Sequence, residues 1–198
     1  MTMRRKFWMR WRVRLGYPVA AIFWLLATPS PRWILLGAAF VMLGLLVRAT
    51  AAGYLRKSRE LAISGPYART RNPLYFGSAL IAAGFLIAGH SWWAGTLVAV
   101  YFAVFYYAVM RNEEEELRGL YGAAYEDYAA RVPLFFPRPF ESNSESGTEA
   151  AAPKEFSWVQ YRNNHEYQAL VGTIAALAAV WLRMWLPAWL PSVPWFHS

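Results

Sequence analysis

The chain has 198 residues, of which 57% are hydrophobic, 18% aromatic and only 16% charged, and its formal net charge is +8. A soluble domain of ordinary composition carries about 25% charged residues, whereas residues 72–110 of this chain contain none. The composition therefore excludes a soluble globular protein and a disordered chain. Because the sequence has no cysteine and only three histidines, we expect no disulfide, no thiol nucleophile and no metal site.

Five apolar segments follow one another along the chain, and each is a candidate membrane helix. A membrane helix needs about 20 mostly apolar residues. We therefore predict an all-α, polytopic integral membrane protein with about five transmembrane helices and a cytoplasmic catalytic segment. The apolar segments are Leu15–Ala27, Trp33–Val47, Leu74–Gly89, Trp92–Met110 and Tyr167–Leu182.

The first four segments predict two helical hairpins, one turning at residues 28–31 and the other at residues 89–91. The first hairpin is short, with segments of 13 and 15 residues. These segments cross the membrane if Arg12, Arg14 and Arg48 extend their charged ends to the interface. A shallow, re-entrant first hairpin is the alternative.

The basic residues predict the orientation of the helices. Eighteen of the 20 lysines and arginines lie in three clusters, at residues 4–14, 48–71 and 111–162. Lysine and arginine concentrate on the cytoplasmic side of membrane proteins. We therefore expect all three clusters on that side, with His90 and His197 outside. The predicted location is a bacterial inner membrane, with the active site facing the cytoplasm.

The composition also divides the chain into three parts. Residues 1–140 form the predicted membrane core, which consists of two helical hairpins and a cytoplasmic helix. Residues 141–156 are rich in Ser, Glu and Gly and predict a disordered linker. Residues 157–198 form a C-terminal extension that contains the fifth predicted helix, and the sequence suggests no function for it.

Four consecutive glutamates, residues 113–116, follow the fourth apolar segment. They are compatible with a solvated helix start, in which Asn112 is the N-cap and Glu115 completes a capping box. They are also compatible with a ligand site. Arg111 and Glu115 share a helix face because they are four residues apart, and tyrosines downstream add π faces that attract cations.

Several short motifs occur in a fixed order along residues 56–139. They are Ser64-Gly65-Pro66-Tyr67, Arg71-Asn72-Pro73-Leu74-Tyr75-Phe76-Gly77, Arg111 with the acidic run, and Tyr121-Gly122-x-x-Tyr125-x-x-Tyr128 before Arg131-Val132-Pro133. As an ordered set they resemble the isoprenylcysteine carboxyl methyltransferase family, whose relatives include the phospholipid N-methyltransferases.

This resemblance implies a methyltransferase that uses S-adenosylmethionine and takes a lipid-tailed or prenylated acceptor from the membrane. It implies membrane lipids and no nucleic acid as partners. Arg111 is the residue that the resemblance assigns to the acceptor carboxylate. The implied cofactor contacts are Leu61, Ala62, Tyr67, Asn72, Pro73, Leu74, Tyr75 and Glu115.

One position departs from the family pattern. The carboxyl methyltransferases usually have His where this chain has Asn72, and Asn cannot titrate, so chemistry that depends on His is excluded here. Arg111 favours a carboxylate acceptor because a guanidinium can hold a carboxylate through two parallel hydrogen bonds. We therefore predict carboxyl methylation of an isoprenylcysteine-like acceptor. The alternatives are amine methylation of a phospholipid, a membrane reductase and a non-catalytic membrane adaptor.

Overall fold

The computed structural model describes residues 3–56, 60–139 and 155–186. Every regular element within these ranges is helical, as the sequence predicts. The α-helices are α1 (Met3–Leu26), α2 (Pro31–Tyr54), α3 (Pro73–Gly89), α4 (Trp92–Tyr121), α5 (Ala123–Arg131), α6 (Trp158–Asn163) and α7 (Glu166–Arg183), and a 3-10 helix spans Gly65–Ala68.

The five long helices, α1 to α4 and α7, contain the five apolar segments. Within the described residues, α2 and α4 are long and apolar enough to cross a membrane by length and composition. The apolar part of α1, Arg14–Leu26, and the whole of α3 are shorter. An all-helical protein with two candidate membrane spans is therefore established, and five crossings stay a prediction.

Helices α2 and α3 pack closely because glycines meet at two places along their contact. A Cβ atom added to Gly37 would lie 2.4 Å from the carbonyl oxygen of Gly84, and one added to Gly44 would lie 2.6 Å from that of Gly77. Small residues let helix backbones approach in membrane proteins. This contact fixes the start of α3 relative to α2.

The two helices of the predicted first hairpin have their main partners elsewhere. The predicted turn is present between α1 and α2, but α1 packs mainly against α4 and α2 packs mainly against α3. The last helix, α7, contacts α1, α2 and α3. Its carbonyl at Ala179 accepts a hydrogen bond of 2.8 Å from the indole nitrogen of Trp24 in α1.

Two sequence interpretations need correction. Helix α4 runs without interruption from Trp92 to Tyr121, so the acidic run does not start a helix. Asn112 is not an N-cap, because it lies inside α4 and its side-chain amide donates to the carbonyl of Ala108. Helix α2 continues to Tyr54, so Arg48 lies within it. The Arg48 guanidinium has partners inside the bundle, which differs from the expected extension to the interface.

The C-terminal extension returns to the helical core. Residues 140–154, which include most of the predicted linker, and residues 187–198, which include His197, lie outside the described residues. Phe156 packs against Gly53 near the end of α2. The Asn164 side-chain amide donates to the carbonyl oxygens of Ala52 and Leu55, at 2.8 and 2.9 Å, and so satisfies backbone acceptors at that helix end.

Candidate active site

Glu114, in α4, is the centre of a buried polar cluster. Its side chain is 2% exposed, and three arginines bind its carboxylate. Arg71 donates to Oε1 at 2.5 Å, Arg111 donates to Oε2 at 2.5 Å, and Arg118 donates to Oε1 at 3.3 Å. A buried carboxylate needs such partners because removing a charge from water is costly. Arg118 also donates to Glu126 at 2.8 Å, so three guanidinium groups share two carboxylates and the cluster keeps a net positive charge.

Two of these arginines keep donors that the cluster does not use. The Arg111 side chain remains 46% exposed and donates to Glu114 through Nη1. Among the described residues, its Nε and Nη2 have no hydrogen-bond partner, and the buried Nε of Arg71 has none either. The Nε–Nη2 edge of a guanidinium matches the two oxygens of a carboxylate, so Arg111 can hold an anion while it stays paired.

The loop before α3 is held by the chain that follows α5. The backbone N–H of Arg71 donates to the carbonyl of Pro133 at 2.9 Å. The side-chain amide of Asn72 donates to the carbonyl of Leu134, also at 2.9 Å. Two motifs that lie about 60 residues apart in the sequence therefore meet directly. Asn72 acts here as a structural donor, and Pro73 begins α3, as Pro commonly does at this position.

A wall of aromatic rings and carboxylate lies between α3 and α4. The hydroxyl of Tyr75 donates to Glu113 Oε2 at 2.8 Å. The ring of Tyr75 meets that of Tyr106 nearly at a right angle, with centroids 5.7 Å apart. A carboxylate beside aromatic rings attracts a cation. These residues therefore have the chemistry to hold a positively charged group.

Two buried tyrosines support this wall. The hydroxyl of Tyr128 donates to the carbonyl of Tyr67 at 2.7 Å, which ties α5 to the 3-10 helix. Burial raises the pKa of both tyrosines, and the nearby carboxylate of Glu113 raises the pKa of Tyr67 further. Both hydroxyls therefore stay neutral at physiological pH and keep their protons for hydrogen bonding.

The residues that the resemblance assigns to the cofactor differ in their exposure. Tyr67 and Pro73 are buried, and Glu115 is exposed. The remaining five are partly buried, and they are Leu61, Ala62, Asn72, Leu74 and Tyr75. Tyr75 donates its hydroxyl to Glu113, a residue that the resemblance does not assign to the cofactor. Arg111 likewise pairs with Glu114 and not with Glu115.

Glu113 and Glu114 belong to the candidate site, but neither was predicted as a site residue from the sequence. Spacing held a signal for Glu114, because it lies three residues after Arg111 and four before Arg118, within reach of both on one helix. Glu113 carried no local signal. Its partner Tyr75 lies 38 residues earlier in the chain, and only the packing of α3 against α4 joins them.

Comparisons with known proteins show what the chain is similar to. The sequence model of the phospholipid methyltransferase family matches residues 32–124, a range that contains Tyr75, Arg111, Glu113 and Glu114. The chain is 33% identical over 135 residues to the cobalt-zinc-cadmium resistance protein CzcN of Cupriavidus metallidurans, covering 65% of this chain and 62% of that protein. No solved structure matches the chain significantly.

A second relative is the nickel-cobalt-cadmium resistance protein NccN of Alcaligenes xylosoxydans xylosoxydans. It is 33% identical over 145 residues, which cover 69% of this chain and 67% of that protein. The chain thus spans about two thirds of the length of these relatives. Their names refer to metal resistance and do not mention a methyl acceptor. The chain therefore belongs to the same family as NccN, and its residues 32–124 are similar to the phospholipid methyltransferases.

Proposed function

We propose that this protein is a membrane methyltransferase that transfers a methyl group from S-adenosylmethionine to the carboxylate of a lipid-tailed, isoprenylcysteine-like acceptor. The family match supports methyl transfer at a membrane. The acceptor class rests on one observation, the Nε–Nη2 edge of Arg111, which is partly exposed and unpaired among the described residues. Glu114 holds the other side of the same guanidinium, so the edge is fixed in orientation.

The residues of the chain have positioning roles in this proposal. S-adenosylmethionine supplies a methyl group on a positively charged sulfur, and its thioether leaves without needing a proton. Glu113 and the rings of Tyr75 and Tyr106 attract that positive charge, and Arg111 orients the carboxylate. A carboxylate is already ionised at neutral pH and needs no general base. The protein therefore aligns the two reactants and excludes water, which can lower the barrier substantially.

The proposal includes the cofactor contacts that the family resemblance implies. Seven of them lie before or at the start of α3, Glu115 lies in α4, and we add Glu113 as a further candidate. The residues from the resemblance are Leu61, Ala62, Tyr67, Asn72, Pro73, Leu74, Tyr75 and Glu115.

Amine methylation of a phospholipid is the second candidate function, because the matching family model is that of phospholipid methyltransferases. An amine acceptor needs nearby carboxylates or carbonyl oxygens and no facing guanidinium. Glu113 offers such a carboxylate, whereas Arg111 opposes a cationic headgroup. The two candidates therefore differ in which of these two side chains meets the acceptor.

One assay with purified protein in detergent tests both candidates. The protein is first titrated with S-adenosylhomocysteine by calorimetry, and then supplied with methyl-labelled cofactor and either a prenylated cysteine acid or phosphatidylethanolamine. Treatment with alkali releases a methyl ester as volatile methanol and leaves an N-methyl group on the lipid. We expect binding and alkali-labile label. Alkali-stable label would favour the amine candidate, and absence of binding would contradict both.

The Arg111→Lys variant tests how the acceptor is held. Lysine keeps the positive charge but lacks the two-pronged geometry, so we expect at least a 10-fold loss of turnover with little change in S-adenosylhomocysteine affinity. Arg118 provides the matched control, because it binds the same carboxylate at 3.3 Å. Arg118→Lys should retain most turnover. If both lysine variants behave alike, Arg111 only pairs with Glu114, and the preference for a carboxylate acceptor is lost.

A further inference from the structure

A second buried charge pair lies where α2, α3 and α7 meet. The Arg48 guanidinium in α2 donates through Nε to Glu166 Oε1 in α7 and through Nη1 to Ser78 Oγ in α3. The Glu166 side chain is 9% exposed and that of Arg48 is 21% exposed. Ionisable groups within a membrane bundle are costly and mark functional positions more often than structural ones.

This pair is attached to the turn of α3 that carries the candidate cofactor contacts. Arg48 Nη1 lies 3.4 Å from the carbonyl oxygen of Leu74 and donates to it, and Ser78 Oγ donates to the same carbonyl at 3.0 Å. Leu74 is one of the residues proposed to line the cofactor site, and its neighbour Tyr75 contacts Glu113. A displacement of Arg48 would therefore be transmitted to the first turn of α3.

The extension supports the other side of the same region. The ring of Phe156 meets that of Tyr54 with centroids 6.5 Å apart. Tyr54 in turn covers Gly65, where an added Cβ would lie 2.7 Å from its ring. Gly65 adopts a φ of +60°, so the 3-10 helix that carries Tyr67 begins under this aromatic cover. The extension thus reaches the 3-10 helix through Tyr54 and the first turn of α3 through Arg48.

The charge of Glu166 also acts on the buried Tyr67. The pKa of Tyr67 is raised first by burial and then by the charges of Glu113 and Glu166. The charges of Glu166 in α7 and Glu113 in α4 therefore both act on the Tyr67 hydroxyl. Glu166 lies outside residues 32–124, the range matched by the family model, so this part of the site is contributed by the extension.

We propose that the C-terminal extension supports the cofactor site from behind, and that Glu166 is a positioning residue that acts through Arg48 on the first turn of α3. The proposal rests on the proposed function, because it concerns the site where S-adenosylmethionine would bind. It assigns the extension a role in cofactor affinity and none in acceptor chemistry.

The test measures cofactor affinity separately from turnover and stability. Glu166→Gln keeps the size of the side chain but removes its charge, and we expect the KM for S-adenosylmethionine and the Kd for S-adenosylhomocysteine to rise at least fivefold. The kcat at saturating cofactor should change less than twofold. Glu155→Gln is the matched control, because it makes the same change at an exposed position of the extension, and it should behave as the wild type.

The milder variant Ser78→Ala decides the outcome if Glu166→Gln does not fold. It removes one partner of Arg48 within α3 and should raise the same two constants by a smaller factor. A lower melting temperature with unchanged KM and Kd would overturn the proposal, as would an equal effect of Glu155→Gln. If the wild type binds no S-adenosylhomocysteine, the proposed function itself fails, so the two failures are distinguishable.

Discussion

Glu114 organises the candidate site because it is both buried and multiply paired. Its carboxylate joins Arg71, which lies just before α3, to Arg111 and Arg118 in α4. Removing one partner of a buried ion pair typically costs about 3–5 kcal/mol. The cluster therefore fixes the start of α3 on α4, and the same contacts orient the Arg111 edge that we propose for the acceptor.

The neighbouring glutamates allow a direct test of which acid meets the cofactor. Glu113 accepts the hydrogen bond of Tyr75, whereas Glu115 is exposed. We expect Glu113→Gln to weaken S-adenosylhomocysteine binding by about 1.5–3 kcal/mol, the value of a hydrogen bond to a charged group. Glu115→Gln should weaken it by much less.

Isothermal titration of both variants in the same detergent provides the measurement. A larger effect of Glu115→Gln would support the assignment of Glu115 to the cofactor, which the family resemblance implies. Equal effects of the two variants would show that the acidic run contributes only its overall charge.

At the scale of elements, the α2–α3 contact carries the positions on which the site depends. Gly44 lies against Gly77 in α3, so that the two helices approach more closely than alanine would permit. Arg48 follows Gly44 by one helical turn, and its Cγ lies 2.6 Å from where a Cβ on Gly77 would stand. Arg48 therefore reaches Ser78 and the Leu74 carbonyl because the two helices lie so close together.

Gly44→Ala should destabilise the protein through this contact. The new Cβ would meet the Gly77 carbonyl oxygen at 2.6 Å and the Ile81 backbone nitrogen at 2.8 Å, and overpacking of this kind costs about 1–3 kcal/mol. Gly95→Ala is the control, because nothing lies within 4 Å of the added atom. Thermal unfolding in detergent should show a lower midpoint for Gly44→Ala only. A similar loss for Gly95→Ala would mean that helix flexibility, and not the contact, is responsible.

At the scale of the whole molecule, local patterns were sufficient to predict the helices but not their partners. The apolar runs predicted the positions of five long helices because hydrophobicity is a local property of the sequence. The pairing of Arg48 with Glu166 joins residues 118 positions apart, and no periodicity in either segment indicates it. No local pattern indicates the contact between Tyr75 and Glu113 either. This contact determines which of the four consecutive glutamates faces the site.

The boundaries of the helices show a related limit. Composition placed the end of the fourth apolar segment at Met110, yet α4 continues to Tyr121. Glutamate, leucine and arginine are good helix formers, and the helix continues past Gly119. It ends at Gly122, whose φ is +52°. The change from apolar to charged residues therefore marks the change of environment along one helix and not the end of that helix.

The sequence also predicts the orientation of the molecule in the membrane. Three basic clusters hold 18 of the 20 lysines and arginines, and the structure places the turn at His90 and Ser91 between α3 and α4, at the opposite end of α3 from Asn72. The motif loop before α3 and the turn after it should therefore face opposite sides of the membrane, with the motif loop in the cytoplasm.

Single-cysteine labelling tests this orientation cleanly because the natural chain has no cysteine. We expect Ser91→Cys to react with an impermeant maleimide in intact cells, and Ser64→Cys to react only after the membrane is permeabilised. Ser91 accepts a hydrogen bond from the backbone N–H of Ala94 as the N-cap of α4, so its replacement costs about 1 kcal/mol, which leaves the helix in place. Labelling of Ser64→Cys in intact cells, with protection of Ser91→Cys, would show that the orientation is the reverse of the predicted one. The proposed site would then lie on the outer face, where intracellular S-adenosylmethionine does not reach it.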